Sequence, residues 1–500
     1  MSRVYEMRLT MKYLYKAVII LILSFIFIGT SCSPYNPQTR EDTAGPLPGT
    51  FSVYGSGAER PDRWWETFED PELNRLIGEA LSGSFTLKEA WARLVQAKAR
   101  VVQKGAALYP DLSFTPGLSH TRQKITTEAG SRVGGAGAQT IAQSDSVTRQ
   151  ETENVSLGLV SSYEVDLWGR IRSEKEAERL TETATHEDLK TAAMSLAAEV
   201  TRRWVNIISQ RAQRQLLEKQ LEINTTLLEL VDLRFRKAMV SALDVYQQRQ
   251  VLERVKADIP LVEAQEQLLH HELALLMGKP PRAEIKISRD SLPIPKAIPS
   301  IGIPVDLLAN RPDIRAAGRR LRSADWQVAA ARANRLPALS LTGRANYSAG
   351  EMDLLFDNWL LSLAANLVAP IFDGKRREAE VDRTTAVVDE RLWAYRRTVL
   401  TAIKEVEDAL VTEVKQREHI EALSKQVETA RKALNEAGER YRKGLNDYLP
   451  VLTQLLSVQN LEQVLIRRQA ELLNARVGLF RSLGGSWMNH LQTYLDDASS

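Results

Sequence analysis

One cysteine, Cys32, stands alone in five hundred residues, so neither an internal disulfide framework nor a thiolate metal cluster can form. Histidine is nearly as scarce, with six residues, and aromatics make up only 6%. No G-x-x-x-x-G-K-[ST] phosphate loop and no G-x-S-x-G elbow occurs. "HHELALL" (His270 to Leu276) has Leu275 where a zinc-binding helix needs its second histidine, and "GGAGA" (Gly134 to Ala138) does not sit between a strand and a helix. Nothing in this inventory reads as an enzyme, a cofactor site or a metal site. Charge is as uninformative about partners: 66 basic and 63 acidic residues leave a net +3, interspersed along the chain, which gives no case for nucleic acid binding. What abounds is Ala, Leu, Arg, Gln and Glu in long stretches, the bias of extended helices.

The N-terminus reads as an export signal. Lys12 and Lys16 precede the apolar run "AVIILILSFIFIG" (Ala17 to Gly29), and the small residues Thr30 and Ser31 lead into Cys32. The run resembles a lipobox, with Gly29 where that pattern prefers Leu. Residues 1–31 are then a lipoprotein signal peptide and 32–60 a lipid-anchored, Pro/Gly/Ser-rich tether, with a diacylglycerol and an acyl chain on Cys32. An ordinary signal peptide with an incidental cysteine is the alternative. Ser33 after the cysteine, by resemblance to bacterial lipoproteins, favours the outer membrane.

The folded part is written twice. In residues 61–278, Asp70 is a natural N-cap and Pro71 an N1 residue, and Leu73, Leu76, Ile77, Ala80 and Leu81 recur at helical spacing, predicting one helix to about Ala107. Alternating apolar and polar residues predict strands over 111–122 and 152–166, and helical periodicity predicts long helices over 170–233 and 243–277. About sixty residues of helix at 1.5 Å rise span roughly 90 Å. A Pro-rich connector occupies 279–311. Residues 312–484 then repeat the order: a helix, strands over 337–348 and 358–371, long helices over 375–441 and 449–483, followed by a tail, 485–500. "RFRKAMVSALDV" (Arg234 to Val245) returns 206 positions later as "RYRKGLNDYLPV" (Arg440 to Val451), and Gly278 returns as Gly484 at the same offset.

Four strands of about ten residues suit a tilted bilayer crossing but cannot close a barrel, and an open edge in lipid leaves backbone groups unpaired. The chain must therefore share a barrel with copies of itself, eight strands from two or twelve from three.

Eight blocks, "WWETFEDPELNRLI", "ALYPDLSFTPGLS", "SYEVDLWGR", "RFRKAMVSALDV", "ANRPDIRAAGRRL", "ARANRLPALSLTG", "PIFDGKRR" and "RYRKGLNDYLPVL", stand in an order that resembles the TolC-like outer membrane efflux protein family, in its OprM/NodT-type lipoprotein branch. The resemblance covers essentially everything from Trp64 to Trp487. It implies a mainly α fold with a β part: a homotrimer with a twelve-stranded barrel, continuous with a long α-helical barrel and carrying an equatorial domain. It implies the outer membrane exit duct of a tripartite efflux system, lipid-anchored and extending into the periplasm, whose partners are outer membrane lipids, a periplasmic adaptor and an inner-membrane transporter of the RND type. Type I protein secretion would use the same architecture, and a helical envelope scaffold is the alternative that is not a channel.

The same resemblance turns the two repeated motifs into helical-hairpin turns at the periplasmic tip, where Arg234, Arg236, Lys237, Ala238, Arg440, Tyr441, Arg442, Lys443 and Gly444 would meet the adaptor. Helix dipoles also favour cations in last helical turns, so part of this basic character has a local cause. The resemblance places a pore-closing ring at Leu449, with Thr453 and Leu456 where relatives carry charged rings; Asp244 and Asp447 are candidates to replace that charge. Gly444, Pro450 and Leu449 all belong to the second turn, which is therefore expected to move on opening while the first stays.

Overall fold

The computed structural model describes residues 44–52, 62–127, 146–298 and 301–491. The signal segment, Cys32, most of the tether, the Gly134–Ala138 loop and the last nine residues of the tail lie outside the described residues. In chain order the elements are α1 (Pro71–Gly83), α2 (Phe85–Ala106), β1 (Asp111–Thr127), β2 (Ser146–Val165), α3 (Arg170–Arg236), α4 (Ala242–Leu276), α5 (Asp306–Asn310), α6 (Pro312–Ala333), β3 (Ala338–Ala349), β4 (Trp359–Val368), α7 (Arg376–Arg442) and α8 (Tyr448–Leu483). The chain is mainly helical with one small antiparallel sheet. It divides into two compact units, one built from Ala99–Arg179 and Arg322–Val388, the other from Arg40–Lys98, Leu180–Leu321 and Asp389–Ser500.

The first unit holds the sheet, in the order β1-β2-β3-β4, every pair antiparallel. Register and strand alternation give its two faces opposite chemistry. One face carries the rows Pro116–Leu157–Tyr347–Trp359 and Phe114–Leu159–Ala345–Leu361; the other carries Ser113–Val160–Arg344–Ser362 and Thr115–Gly158–Asn346–Leu360. Phe114 is 62% exposed, Leu118 83% and Leu363 85%, so within one chain the apolar face is bare. The outer edges of β1 and β4 have no strand beside them among the described residues. β1 and β2 run further than the alternation predicts, because β1 and β2 stay paired to Thr127 and Ser146 while β3 stops at Ala349 opposite Val155. In that extension both faces are mostly polar, so apolar–polar alternation fades, and backbone pairing together with cross-strand charge pairs carries the strands.

The block "DLWGR" forms the strand-to-helix corner. The Asp166 carboxylate accepts from the backbone N–H groups of Ile171 and Arg172 at 3.0 Å each, capping α3. The Trp168 Nε1–H donates to the Pro337 carbonyl at 2.7 Å. Asp373 plays the same part before α7, accepting from Arg377 N–H at 3.3 Å.

In the second unit, Trp64, Trp65 and Phe68 pack with Leu73, Ile77, Trp204, Leu273, Val477, Phe480 and Trp487. The two N-terminal tryptophans take partners from the other end of the chain: Trp64 stacks on Phe480 with centroids 5.4 Å apart, and Trp65 meets Trp487 edge-on at 4.9 Å. Asp70 caps α1 as expected, accepting from Leu73 N–H at 3.0 Å.

The single helix expected from Pro71 to about Ala107 is broken at Ser84, which turns the backbone out of the helical region (ψ 126). The cause is a close crossing of two backbones. A Cβ on Gly83 would stand 2.4 Å from the Met277 carbonyl oxygen, and one on Gly278 2.3 Å from that of Gly83. Neither residue can carry a side chain while the end of α4 lies against the end of α1.

The Pro-rich connector has little regular structure among its described residues apart from α5, a short helix inside it, and it is tied down by side chains. Glu72 accepts from Ser288 N–H at 2.7 Å and Oγ–H at 2.8 Å. Arg476 donates to the carbonyls of Lys296 (3.0 Å) and Ala297 (3.1 Å) while paired with Glu413, which is fully buried.

Candidate functional site: the two hairpin turns

Each copy of the repeated motif closes a helical hairpin in the same way. Ala238 adopts the left-handed conformation (φ 56); its N–H donates to Phe235 O at 2.8 Å, and that of Met239 to Arg234 O at 2.9 Å. At the second turn Gly444 (φ 73) donates to Tyr441 O at 3.0 Å, and Leu445 to Arg440 O at 2.9 Å. Both are Schellman closures, which satisfy the last carbonyls of α3 and α7. Alanine tolerates that conformation only with strain; glycine has no Cβ to strain.

The entries into α4 and α8 differ. Ser241 and Asp244 form a reciprocal capping box, with Asp244 N–H donating to Ser241 Oγ at 3.3 Å and Ser241 N–H to Asp244 Oδ2 at 3.0 Å. At the matching positions of the second turn stand Asp447, which makes no side-chain cap bond, and Pro450. Asp244, a candidate for gate charge, is thus engaged in capping, whereas Asp447 is exposed.

Between the turns lies a small core of Val231, Val245, Val251, Tyr441, Tyr448, Val451 and Leu452. The two copies are used differently here. Phe235 is 43% exposed, while Tyr441, its counterpart, is 3% exposed and lies 5.5 Å from Tyr448. Arg234 sits over the Tyr441 ring at 4.2 Å and donates to the carbonyls of Tyr441 (3.0 Å) and Arg442 (3.1 Å), whereas its counterpart Arg440 points outward to Glu436 at 3.4 Å. Tyr441 and Arg234, expected on the docking surface, are therefore turned into the protomer because together they join one hairpin to the other.

Behind them runs a buried polar chain. The Tyr448 hydroxyl donates to Gln248 Oε1 at 2.5 Å, Gln248 Nε2 to Asn224 O at 3.0 Å, Asn224 Nδ2 to Gln220 O at 2.6 Å, and Gln220 Nε2 to Gln459 O at 3.3 Å. It links α3, α4 and α8. Burial pushes the Tyr448 phenol pKa up, and the neighbouring Tyr441 and Asp244 push it further in the same direction.

The remaining basic residues are at the surface. Arg236 pairs with Asp232 at 2.7 Å and Arg442 with Glu439, each along its own helix. Lys237 and Lys443 are exposed at the turns, without an ion pair among the described residues. Leu449 is 58% exposed. Thr453 is exposed, its hydroxyl donating to Leu449 O at 2.9 Å, but Leu456 packs against the core between the turns, so it does not face out freely.

Sequence reasoning overlooked the apolar side chains that the turns leave bare: Met239 at 63%, Leu243 at 63% and Leu445 at 69% exposure. For Leu243 the signal was available, since it falls out of step with the buried Val245, Gln248 and Leu252 of α4, whereas Met239 and Leu445 lie in the turns, where helical spacing says nothing. An exposed rim of apolar residues with Lys237 and Lys443 among them is chemically fit to receive another helical hairpin.

A model of the outer membrane efflux protein family matches residues 76–279 and 303–485. The chain is 32% identical over 432 residues to the pyoverdine export outer membrane protein OpmQ of Pseudomonas aeruginosa, covering 86% of this chain and 88% of that one. It is 30% identical over 480 residues to the toluene efflux pump outer membrane protein TtgF of Pseudomonas putida, covering 93% and 96%. Among solved structures it superposes on the outer-membrane channel OprN with a TM-score of 0.77 at 28% identity, covering 91% of this chain and 99% of that chain.

Proposed function

The chain belongs to the outer membrane efflux protein family, and from that membership we propose that it is the outer membrane exit duct of a tripartite efflux system. Three copies close one twelve-stranded barrel, joined to a helical tube whose periplasmic end is formed by six hairpin turns. The observation that carries this reading is the sheet: four strands, one bare apolar face, one polar face and two edges unpaired among the described residues. In lipid such edges cost several kcal/mol per unpaired group, which pairing β1 of one copy with β4 of the next removes. The polar face then lines the water-filled exit.

The turns are the docking surface for a periplasmic adaptor, with Lys237, Lys443, Met239 and Leu445 as its exposed elements, and the adaptor connects the duct to an inner-membrane transporter of the RND type. Leu449 of three copies forms the pore-closing ring. Cys32 carries a diacylglycerol and an acyl chain, which add roughly 0.8 kcal/mol of membrane affinity per buried methylene. The duct itself is passive and performs no chemistry. The test is to extract the protein from outer membranes, measure its mass and record conductance in a planar bilayer. We expect a trimer with discrete conductance steps; a monomer that conducts nothing would overturn the proposal.

A further inference from the structure

Beyond the end of β3, the β1–β2 ribbon sorts its charges onto one face. His120, Arg122 and Lys124 alternate along β1 and stand opposite Glu153, Glu151 and Arg149 of β2. On the other face of the same stretch, Ser119, Thr121 and Gln123 stand opposite Asn154, Thr152 and Gln150, none of them charged. Strand alternation makes the charged face a direct continuation of the apolar Phe114–Leu159 and Leu118–Val155 rungs. Cross-strand pairing of opposite charges accounts for that sorting on the rungs nearer the apolar rows, but not for the rung beyond them.

The lower rungs are satisfied within the ribbon. His120 Nδ1 lies 3.4 Å from Glu153 Oε1, and Arg122 Nε–H donates to Glu151 Oε1 at 2.5 Å. The upper rung is different. Lys124 and Arg149 face each other across the strands, both exposed, and neither has an ion pair among the described residues. Like charges directly opposite destabilise a strand pair, and an anion seated between them reverses the sign.

We propose that this face binds the phosphorylated headgroup of an outer-leaflet glycolipid, with a phosphate held between Lys124 and Arg149. The inference rests on the proposed duct: β2 leads into α3, whose far end carries the periplasmic turn, so the Thr127 and Ser146 end of the ribbon lies outside. Geometry selects the lipid class. At about 3.4 Å per residue and a tilt of 35–45°, the His120 rung stands roughly 5 Å above Leu118 along the membrane normal and the Lys124 rung roughly 15 Å. A phospholipid headgroup layer is about 5–7 Å deep and reaches only the first. A saccharide headgroup bearing phosphates reaches both.

The experiment uses the purified full-length protein in detergent, titrated with bisphosphorylated lipopolysaccharide, with the same glycolipid after phosphatase treatment, and with phosphatidylglycerol, reading bound lipid by native mass spectrometry. The Lys124→Gln/Arg149→Gln variant should bind the phosphorylated glycolipid about tenfold or more weakly than wild type. Phosphatase treatment should bring wild type down to the same level. Lys124→Arg/Arg149→Lys, which keeps both charges, should bind as wild type and guards against a variant that merely misfolds. Equal affinity of wild type and the Gln variant overturns the proposal, and so does phosphatidylglycerol binding that depends on the pair as strongly as the glycolipid does. Conductance recorded on the same preparations separates this outcome from failure of the duct reading: wild type that conducts in discrete steps while glycolipid binding is indifferent to the pair sinks this proposal alone.

Discussion

If the second hairpin swings away from the first when the duct opens, the contacts that join them hold the closed state and should set its population. The most informative perturbation is Tyr448→Phe, which keeps the ring in its place and removes only the hydroxyl. Tyr448 is 1% exposed and Gln248 is fully buried, so Gln248 Oε1 is left without its 2.5 Å donor and without water. Leaving one buried acceptor unpaired costs about 1–3 kcal/mol. Where that cost falls on the closed state alone, about 1.4 kcal/mol shifts the closed-to-open ratio tenfold per protomer, and three coupled protomers compound it toward roughly a thousandfold. Arg234→Ala should act in the same direction, by losing its place over Tyr441 and two carbonyl contacts. The assay is open probability of single channels in planar bilayers, paired with amide exchange at residues 440–455 to verify that the hairpin has loosened. A variant whose hairpin exchanges faster while its open probability stays at the wild-type value would refute the idea that opening releases this tie.

Three other outcomes follow from particular contacts. Ala238→Gly should slow amide exchange at the first turn and Gly444→Ala should speed it at the second, each by about 1 kcal/mol of local stability, since both backbones are left-handed and only the substituted Cβ differs; no change in exchange at either turn would contradict the closure described. Glu413→Gln should lower thermal stability by about 3–5 kcal/mol by leaving Arg476 buried and unpaired, whereas Glu413→Leu with Arg476→Met should cost far less in the same melting experiment. Burial depresses the pKa of His186 and of His270, with Lys190 and Arg211 respectively adding to the effect. A depressed histidine contributes stability above its unfolded value of about 6.5 that is lost as pH falls through its lower folded value, so melting temperature should drop on acidification below about pH 6.5. His186→Gln with His270→Gln should flatten that acid limb, and an unchanged limb would count against the assignment.

How much of this was legible beforehand depended on periodicity. The long helices were readable to within three residues at either end, because apolar positions recur at helical spacing and the ends are marked by Gly278, Gly484 and the basic turns. The sheet's alternation was readable where one face is apolar, and the predicted strands stop at 122 and 152, short of Thr127 and Ser146, because past Leu118 the two faces differ in charge and no longer in hydrophobicity. The break at Ser84 was hidden for a different reason: Gly83 is required by a backbone 194 positions away, and no local pattern records such a crossing.

The turns illustrate the same division. Sequence alone determined that two copies of one basic motif end two long helices, because helix periodicity, the small residues Ala238 and Gly444, and the dipole's preference for cations are all local properties. It also gave the expectation that four amphipathic strands, if they lie in lipid, take partners from other copies, since open edges there leave backbone groups unpaired. Only the tertiary structure decided what each copy does. Arg234 and Arg440 hold the same place in the repeat, yet one lies on Tyr441 and the other faces water; Phe235 is bare where Tyr441 is buried. Those fates depend on which neighbouring hairpin each side chain meets, and contact across some two hundred residues is decided by packing in three dimensions.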